Sequence, residues 1–432
     1  MNTLLHEILA AREQRCQKQQ KLLQEYNLPL VCFTMNIPGP TKDSPLIRRA
    51  FATGLSMLDE KLESVRFREV TCANTGCEAF YVVDMNAAAL KELCTAIEES
   101  CPLGRLFDMD VLDTNGEKLE RKNQRGCMVC GKPGRFCAAS RTHDVAILQQ
   151  TTSDMITAHF AAADGEFAAD LAVQALLAEV HATPKPGLVD ENNQGSHKDM
   201  DIPLFTKSAH VLRPYFLKCF EIGRQTPEDT FCLLRSAGME AEKQMFAATN
   251  GVNTHKGAIY TLGLLCGSIG RLWQADAPFA GADAILREVS KLATIDDLLS
   301  MDTPKTAGEA LYVKYGLTGI RGEAAAGFPS IATIALPAYR QALAKGKTEN
   351  DAAVTALIHL IAHVEDTNLY HRGGAEGAAY AKSAAAALLP EPTNEALWEL
   401  DKAFIQKNLS PGGCADLLAA TIFLHKLTHK EC

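Results

Sequence analysis

The chain has 432 residues, 47% of them apolar and 22% charged, the balance of an ordinary globular protein long enough for more than one hydrophobic core. Its formal net charge of −9, from 43 basic and 52 acidic residues, argues against general affinity for nucleic acid or an anionic membrane. The 14 cysteines are too thinly spread for a disulfide scaffold and read as reduced thiols. The first twenty residues lack the apolar core and cleavage site of a signal peptide, and no run reaches the ~18 apolar residues of a membrane span, so a cytoplasmic protein is expected.

In chain order, Leu4, Leu5, Ile8 and Leu9 sit at helical spacing and start an amphipathic helix running toward Tyr26. Leu28 to Ile37 is short and apolar and stops at Pro38-Gly39-Pro40, which suits a buried strand. A helix through Phe51, Leu55 and Leu58 follows, then strands over Glu78 to Met85 and Arg105 to Asp113 with a helix near Ala87 to Glu98 between them. Such alternation gives an α/β or α+β layer over residues 1–160. Beyond Phe160 the strand signals fade and alanine dominates. Phe167, Leu171, Ala175 and Ala178 mark a helix stopped by Pro184 and Pro186. Further helices are predicted within Gly238 to Phe246, Lys256 to Trp273, Ile331 to Leu343, Ala352 to Val364 and Ala415 to Leu424. Residues 161–432 therefore read as an all-α bundle with its polar chemistry in the turns.

In the first part, Asp108 and Asp110 lie two apart on a predicted strand, so both carboxylates face one side. Mg²⁺ bound together with substrate phosphates would relieve their repulsion; an exposed strand end is the competing reading. Pro38 to Ser44 forms a rigid turn into a helix carrying Arg48 and Arg49, and with Lys42 it offers donors to phosphate. Cys127, Cys130, Cys137 and His143 have the ligand types of tetrahedral zinc and are flanked by Arg125, Lys132, Arg135 and Arg141. Their C-x2-C-x6-C-x5-H spacing matches no common zinc finger. Reduced thiols under a basic loop, with substoichiometric zinc, are the expectation.

In the second part, Lys185, Pro186, Gly187 and Asp190 precede a second polar loop holding His197, Lys198, Asp199 and Asp201. At Asn253-Thr254-His255-Lys256-Gly257, Thr254 is placed to cap a helix beginning at His255, which makes a helix start with a lysine, suited to an anion. Gly319-Ile320-Arg321-Gly322-Glu323, Asp366-Thr367-Asn368 and Arg372-Gly373-Gly374 mix acid, base and glycine. Ser410 and Pro411 are placed to open the last helix. His359 and His363, four apart on a helix without an acidic partner, read as helix histidines rather than metal ligands.

The segments LVCFTMNIPGPTKDS, CPLGRLFDMDVLDTNGEKLER and GCMVCGKPGRFCAASRTH resemble the apo-citrate lyase phosphoribosyl-dephospho-CoA transferase family over most of residues 1–155. One departure is Ala139, where the family pattern has arginine. PKPGLVD, HKDM, GVNTHKG, GIRGEA, DTN, RGG and LSPGG resemble the triphosphoribosyl-dephospho-CoA synthase family from about Leu176 to Leu424, with departures at Glu191 and Ser196. The second resemblance implies that ATP and dephospho-CoA are joined with loss of adenine. The first implies transfer of the product to a serine of the citrate lyase acyl carrier (γ) subunit with loss of pyrophosphate. Together they imply a bifunctional transferase, with Asp108 and Asp110 on Mg²⁺ and Lys42, Arg48 and Arg105 on phosphates. In the helical part, Asp190, Asp199, Glu323 and Asp366 become the candidate acids or metal ligands. Lys185, His255, Lys256, Arg321, Asn368 and Arg372 become the substrate contacts, while Asp201 and His371 rank below these. The same chemistry serving malonate decarboxylase, or a zinc-stabilised docking module beside a synthase, are the alternatives.

Overall fold

The computed structural model describes residues 2–226, 228–293 and 307–429. The chain separates into two compact units, residues 1–163 with 275–277, and 164–274 with 278–432. The divide falls inside one long helix, α5 (Val145–His181).

The first unit runs α1 (Asn2–Tyr26), β1 (Leu30–Met35), α2 (Pro45–Lys61), β2 (Val65–Ala73), β3 (Gly76–Val83), α3 (Ala87–Glu99), β4 (Phe107–Leu112) and a short α4 (Gly134–Ala139). Its sheet has the order β2-β3-β1-β4 and every pairing is antiparallel, which selects α+β from the two expected architectures. Period-two alternation decides which face each side chain takes. In β4, Phe107, Met109 and Val111 are buried while Asp108 and Asp110 lie on the opposite side. Phe33 stacks on Phe51 at 4.6 Å and meets Phe107 edge-on at 5.4 Å, joining α2 to that buried face. The other face is covered by Leu22 and Leu23 of α1, packed on Leu30, Cys32, Phe80 and Val82. Strand β2 went unread because its Val65, Phe67 and Val70 alternate with charged residues, leaving no continuous apolar run. Its hairpin turn, Asn74-Thr75 before Gly76 at φ 116°, was the available signal. Cys72 and Cys77 face each other across that hairpin as a disulfide, so this pair departs from the free thiols expected.

The second unit is helical throughout its described residues. After α5 come α6 (Ile202–Val211), α7 (Arg213–Gln225), α8 (Thr230–Ala248), α9 (Lys256–Leu272), α10 (Ala282–Leu292), α11 (Ala307–Tyr315) and α12 (Gly319–Ala325). A π-helical turn over Ile331–Ala335 leads into α13 (Leu336–Ala344), followed by α14 (Glu349–His363), α15 (Thr367–Ala386), α16 (Asn394–Gln406) and α17 (Gly412–Thr428). Helix α9 is the hub, buried from Ala258 to Gly270 except at Tyr260. It meets α7 without intervening side chains: a Cβ on Gly223 would lie 1.9 Å from the Gly267 carbonyl oxygen. Each fully buried Leu, Ile or Phe of this core contributes about 1.5–3 kcal/mol relative to exposure.

Two helix starts differ from the expectation. Helix α9 begins at Lys256, whose N–H is met by the Asn253 side chain at 3.3 Å, while the Thr254 hydroxyl donates to Ser208. Helix α17 begins at Gly412, and the orphan N–H of Cys414 is taken by the Asp366 carboxylate at 2.8 Å rather than by Ser410.

Candidate functional site

In the first unit the chemistry gathers on edge strand β4. Asp108 and Asp110 sit side by side opposite Thr34 and Cys32 of β1. Lys118 reaches Asp110 at 2.6 Å, whereas Asp108 takes no hydrogen bond among the described residues. Burial, reinforced by the neighbouring Asp110 charge, raises the Asp108 carboxyl above its ordinary range. Arg105 lies in the 3-10 turn Pro102–Leu106 just before β4, not in the strand as expected. Its Nε and Nη2 donate to the Gly126 carbonyl, and its buried Nη1 has no partner among the described residues. Lys42 donates to the Ile37 carbonyl, and burial together with nearby Arg12 lowers its pKa. Arg48 is held in a two-pronged pair with Asp43 at 2.7 Å on the surface and shows no contact with the acid pair. Arg12 and Arg15 of α1, which lie near Lys42 and Cys32, are further cations that sequence reading passed over.

Cys127, Cys130, Cys137 and His143 converge, with one potential ligand atom from each lying within 4.8 Å of all the others. Backbone N–H groups of Cys130 and Val129 point at the Cys127 sulfur and hold its thiol down at about 6.

In the second unit a cavity of about 800 Å³ is lined by most of the motifs singled out above, enough for a nucleotide-sized ligand. Residues at the starts of α9, α15 and α17 (Lys256 and Gly257, Thr367 and Asn368, Gly412 and Gly413) all line it. Several of their N–H groups are already met, Lys256 by Asn253 and Asn368, Leu369 and Cys414 by the Asp366 carboxylate, so what remains to favour an anion is the alignment of the dipoles. Acids line it as well: Glu179, Glu323, Asp366 and Asp416.

The acids differ in how they are held. Asp366 caps α15 through the N–H groups of Asn368 and Leu369 and also accepts from Cys414, so it ties two helix starts together. Burial still raises its pKa. Glu323 accepts both the N–H and the hydroxyl of Ser330, at 3.2 and 2.7 Å. Asp416 rests where Gly257 leaves room, for a Cβ there would stand 1.9 Å from its Oδ2. Burial, with Glu179 and Asp366 nearby, pushes its pKa well above the ordinary carboxylate range. Neither Glu179 nor Asp416 was singled out from sequence. The available signal was a lone carboxylate within an apolar helical run, costly unless it is used or paired.

The cations sort equally clearly. Lys185 is buried and paired with Glu179 at 2.5 Å, so its charge is neutralised before any ligand arrives. Lys256 is half exposed at the cavity edge and leans on Glu242 at 3.0 Å. Arg372 lines the cavity while donating to the Ser196 carbonyl, Asn408 and His197 Nδ1. Because arginine only donates, His197 accepts at Nδ1 and its Nε2–H donates to Ser410, at 2.9 Å. Burial, with Arg372 beside it, lowers the His197 pKa to about 4, so the ring is neutral. His255 is likewise neutral, its pKa driven to about 3 by burial with Lys185 nearby. Ser208 accepts from Thr254 and therefore donates to His255 Nδ1, leaving a buried Nε2–H without a protein partner in the cavity lining.

Three of the candidate acids and substrate contacts do not line this cavity. Asp190 is buried as a loop clamp, accepting the N–H groups of Lys185, Asn192 and Asn193. Asp199 is exposed, and Arg321 reaches Glu309 at 3.4 Å.

A cavity edged by helix starts and lined by acids in one unit, and paired strand carboxylates in the other, suit a group-transfer enzyme for phosphorylated nucleotides. Residues 165–432 match the family described as CitG, ATP:dephospho-CoA triphosphoribosyl transferase. Residues 3–159 match CitX, apo-citrate lyase phosphoribosyl-dephospho-CoA transferase. The chain is 36% identical over 451 residues to Protein CitXG of Haemophilus influenzae, covering 97% of this chain and 95% of that one. It is 32% identical to Protein CitXG of Leuconostoc mesenteroides, covering 98% and 97%. A probable 2-(5''-triphosphoribosyl)-3'-dephosphocoenzyme-A synthase of Vibrio cholerae matches at 44% over 60% of this chain and 87% of its own. The chain belongs to this fused CitX–CitG family and is a transferase with both activities of citrate lyase maturation.

Proposed function

We propose that the 800 Å³ cavity is where a ribose hydroxyl of dephospho-CoA displaces adenine from C1 of the ATP ribose. The C1–N bond to adenine breaks as the new C1–O bond forms, with oxocarbenium character between. Asp416, which keeps its proton to a higher pH than an ordinary carboxyl, gives it to the leaving adenine. Glu323, kept an acceptor by Ser330, takes the proton of the attacking hydroxyl. Lys256, Arg372 and the His255 Nε2–H receive the triphosphate. Asp366 and Asp190 act as positioning residues, because their oxygens already hold backbone N–H groups.

The β4 edge would receive the product for attack by a serine of the citrate lyase acyl carrier (γ) subunit on its α-phosphate, expelling pyrophosphate. Side-by-side carboxylates, one without a hydrogen bond, fit a divalent cation, so Asp108 and Asp110 would hold Mg²⁺. When bound, the ion neutralises charge developing on the phosphates. Arg105 supplies a further donor through its unpartnered Nη1. Both substrates of the first step are metabolites of the cytoplasm, which supports a cytoplasmic reaction. Among the described residues, no helix is long and apolar enough to cross a membrane.

The observation that carries the reading is the meeting of three helix starts with a perturbed carboxyl, Asp416, in one cavity. The test is to incubate the protein with ATP and dephospho-CoA, then add apo-carrier. Stoichiometric adenine should precede any change in the carrier's intact mass. Carrier modification without adenine release would overturn the assignment.

A further inference from the structure

The stretch from Asp113 to Asp144 is poor in core. Of its side chains only Cys137 is buried, a few such as Leu119, Cys127 and Met128 are partly covered, and most of the rest are exposed. A 32-residue excursion with so little apolar interior relies on polar anchors for its fixed path; Arg121 and Arg125 pair with buried Glu98 at one end, and the cysteine loop beyond them needs an anchor of its own.

The backbone around the first two cysteines forms a tight knuckle. The Cys127 N–H donates to the Lys132 carbonyl at 2.6 Å, and the Gly131 N–H returns to the Cys127 carbonyl at 2.9 Å. Gly131 makes the turn at φ 72°, a conformation a side chain would strain. Bonds from Gly134 N to Arg125 O and an isolated bridge between Gly126 and Pro133 close the hairpin. Helix α4 then delivers Cys137, and the following turn, with Arg141 at φ 47°, delivers His143.

The spacing between these atoms is that of ligands around one ion. Cys130 and Cys137 sulfurs are 3.5 Å apart, and His143 Nε2 is 3.3 Å from Cys130 Sγ. A tetrahedral zinc with Zn–S near 2.3 Å and Zn–N near 2.0 Å sets sulfurs about 3.8 Å apart and a sulfur and nitrogen about 3.5 Å apart. Three sulfurs and one imidazole also match zinc in softness. We infer that Cys127, Cys130, Cys137 and His143 form a closed, structural zinc site that fixes the 113–144 segment. With four protein ligands no position is left for substrate, so the ion organises rather than reacts. Its place in the unit gives it a consequence. The Gly126 carbonyl at the knuckle's entry accepts two bonds from Arg105, and Arg125 donates to the Phe107 carbonyl at 2.6 Å, so the site steadies the approach to Asp108.

This runs against the substoichiometric metal expected from the spacing, and metal stoichiometry decides between the two. The test uses the full chain purified without added zinc. Metal analysis should give about one zinc per chain, retained through gel filtration. Cobalt exchange should give the visible absorption of a tetrahedral thiolate site. Cys130→Ser should lose the metal and Cys101→Ser, outside the cluster, should keep it. Limited proteolysis should become at least tenfold faster within 113–144 after chelation, while adenine release stays within twofold. Wild-type protein with under about 0.2 equivalents of zinc, and three thiols titrating at the same rate with and without chelator, would overturn the inference. So would a metal-free Cys130–Cys137 disulfide found by peptide mass. The stoichiometry stands apart from the transferase assignment, so failure of one does not imply failure of the other.

Discussion

The two units solve the same problem, handling a polyanionic nucleotide, by different means. The helical unit gathers its candidate site in a cavity bordered by helix starts, where Lys185 and Lys256 are already paired with Glu179 and Glu242. The α+β unit presents carboxylates on an open strand edge, with cations on neighbouring turns and helices. The first must discriminate a small nucleotide and exclude water from an oxocarbenium-like centre. The second must admit the surface of another protein. Enclosure raises the worth of each charge by lowering the local dielectric, and exposure dilutes it. A substitution of given chemistry is therefore expected to cost more in the cavity than on the edge.

The largest effect is expected at Asp416. Asp416→Asn keeps the shape but removes the proton donor, and adenine release should fall by about 10³, within the range for a lost general acid. The acid form is the working form, and its pKa is raised. Wild-type turnover should therefore decline as pH rises past that raised value. The variant should lack this alkaline decline. Transfer from preformed intermediate should be unchanged; loss of both activities would mean Asp416 is only structural.

At the strand edge, Asp108→Asn should lower carrier modification by about 10², leaving adenine release within twofold. An Mg²⁺ titration shifted to higher concentration identifies the defect as metal binding. An unimpaired variant would remove Asp108 from the machinery and make the edge a docking surface only.

Much of this was legible in the sequence, and the limits have physical causes. The glycine- and proline-marked turns carry short-range signals, so the loops around Lys185, Lys256, Asn368 and Ser410 were recognised, and all four residues line one cavity. What local pattern cannot show is which charges neutralise one another. Lys185 reads as a free clamp until Glu179 is found 2.5 Å away, and Asp190 reads as an acid until three N–H groups are found on it. Asp416 was overlooked for the reverse reason: it lies inside a strongly helical apolar run, where the periodicity speaks of packing. Caps failed similarly at α9 and α17, since Asn253 and Asp366 supply bonds that the sequence assigned to Thr254 and Ser410.

A smaller effect is expected for Lys256→Ala. Its ammonium stands at a helix start but is half exposed and shared with Glu242. The loss should be about tenfold in kcat/KM for ATP, near 1.4 kcal/mol, the low end for a hydrogen bond to a charged group. The change should appear chiefly in KM. A hundredfold loss would show that Glu242 releases the lysine when ATP binds.

The smallest effect is expected at Arg48, where the strand-edge unit provides its own control. Its guanidinium already bonds both Asp43 oxygens at 2.7 Å, and its side chain is 54% exposed. An exposed pair of this kind contributes little to stability. Recruiting Arg48 to phosphate would require breaking that pair in water, returning most of what the new contact supplies. Arg48→Ala should therefore leave carrier modification within about twofold and the melting temperature nearly unchanged. Arg105→Ala, which removes the unpartnered buried Nη1, should do more harm to transfer than Arg48→Ala. Equal or reversed losses in the two variants would show that the PGPTKDS turn opens to grip the triphosphate, and that the edge does not work with charges fixed in advance.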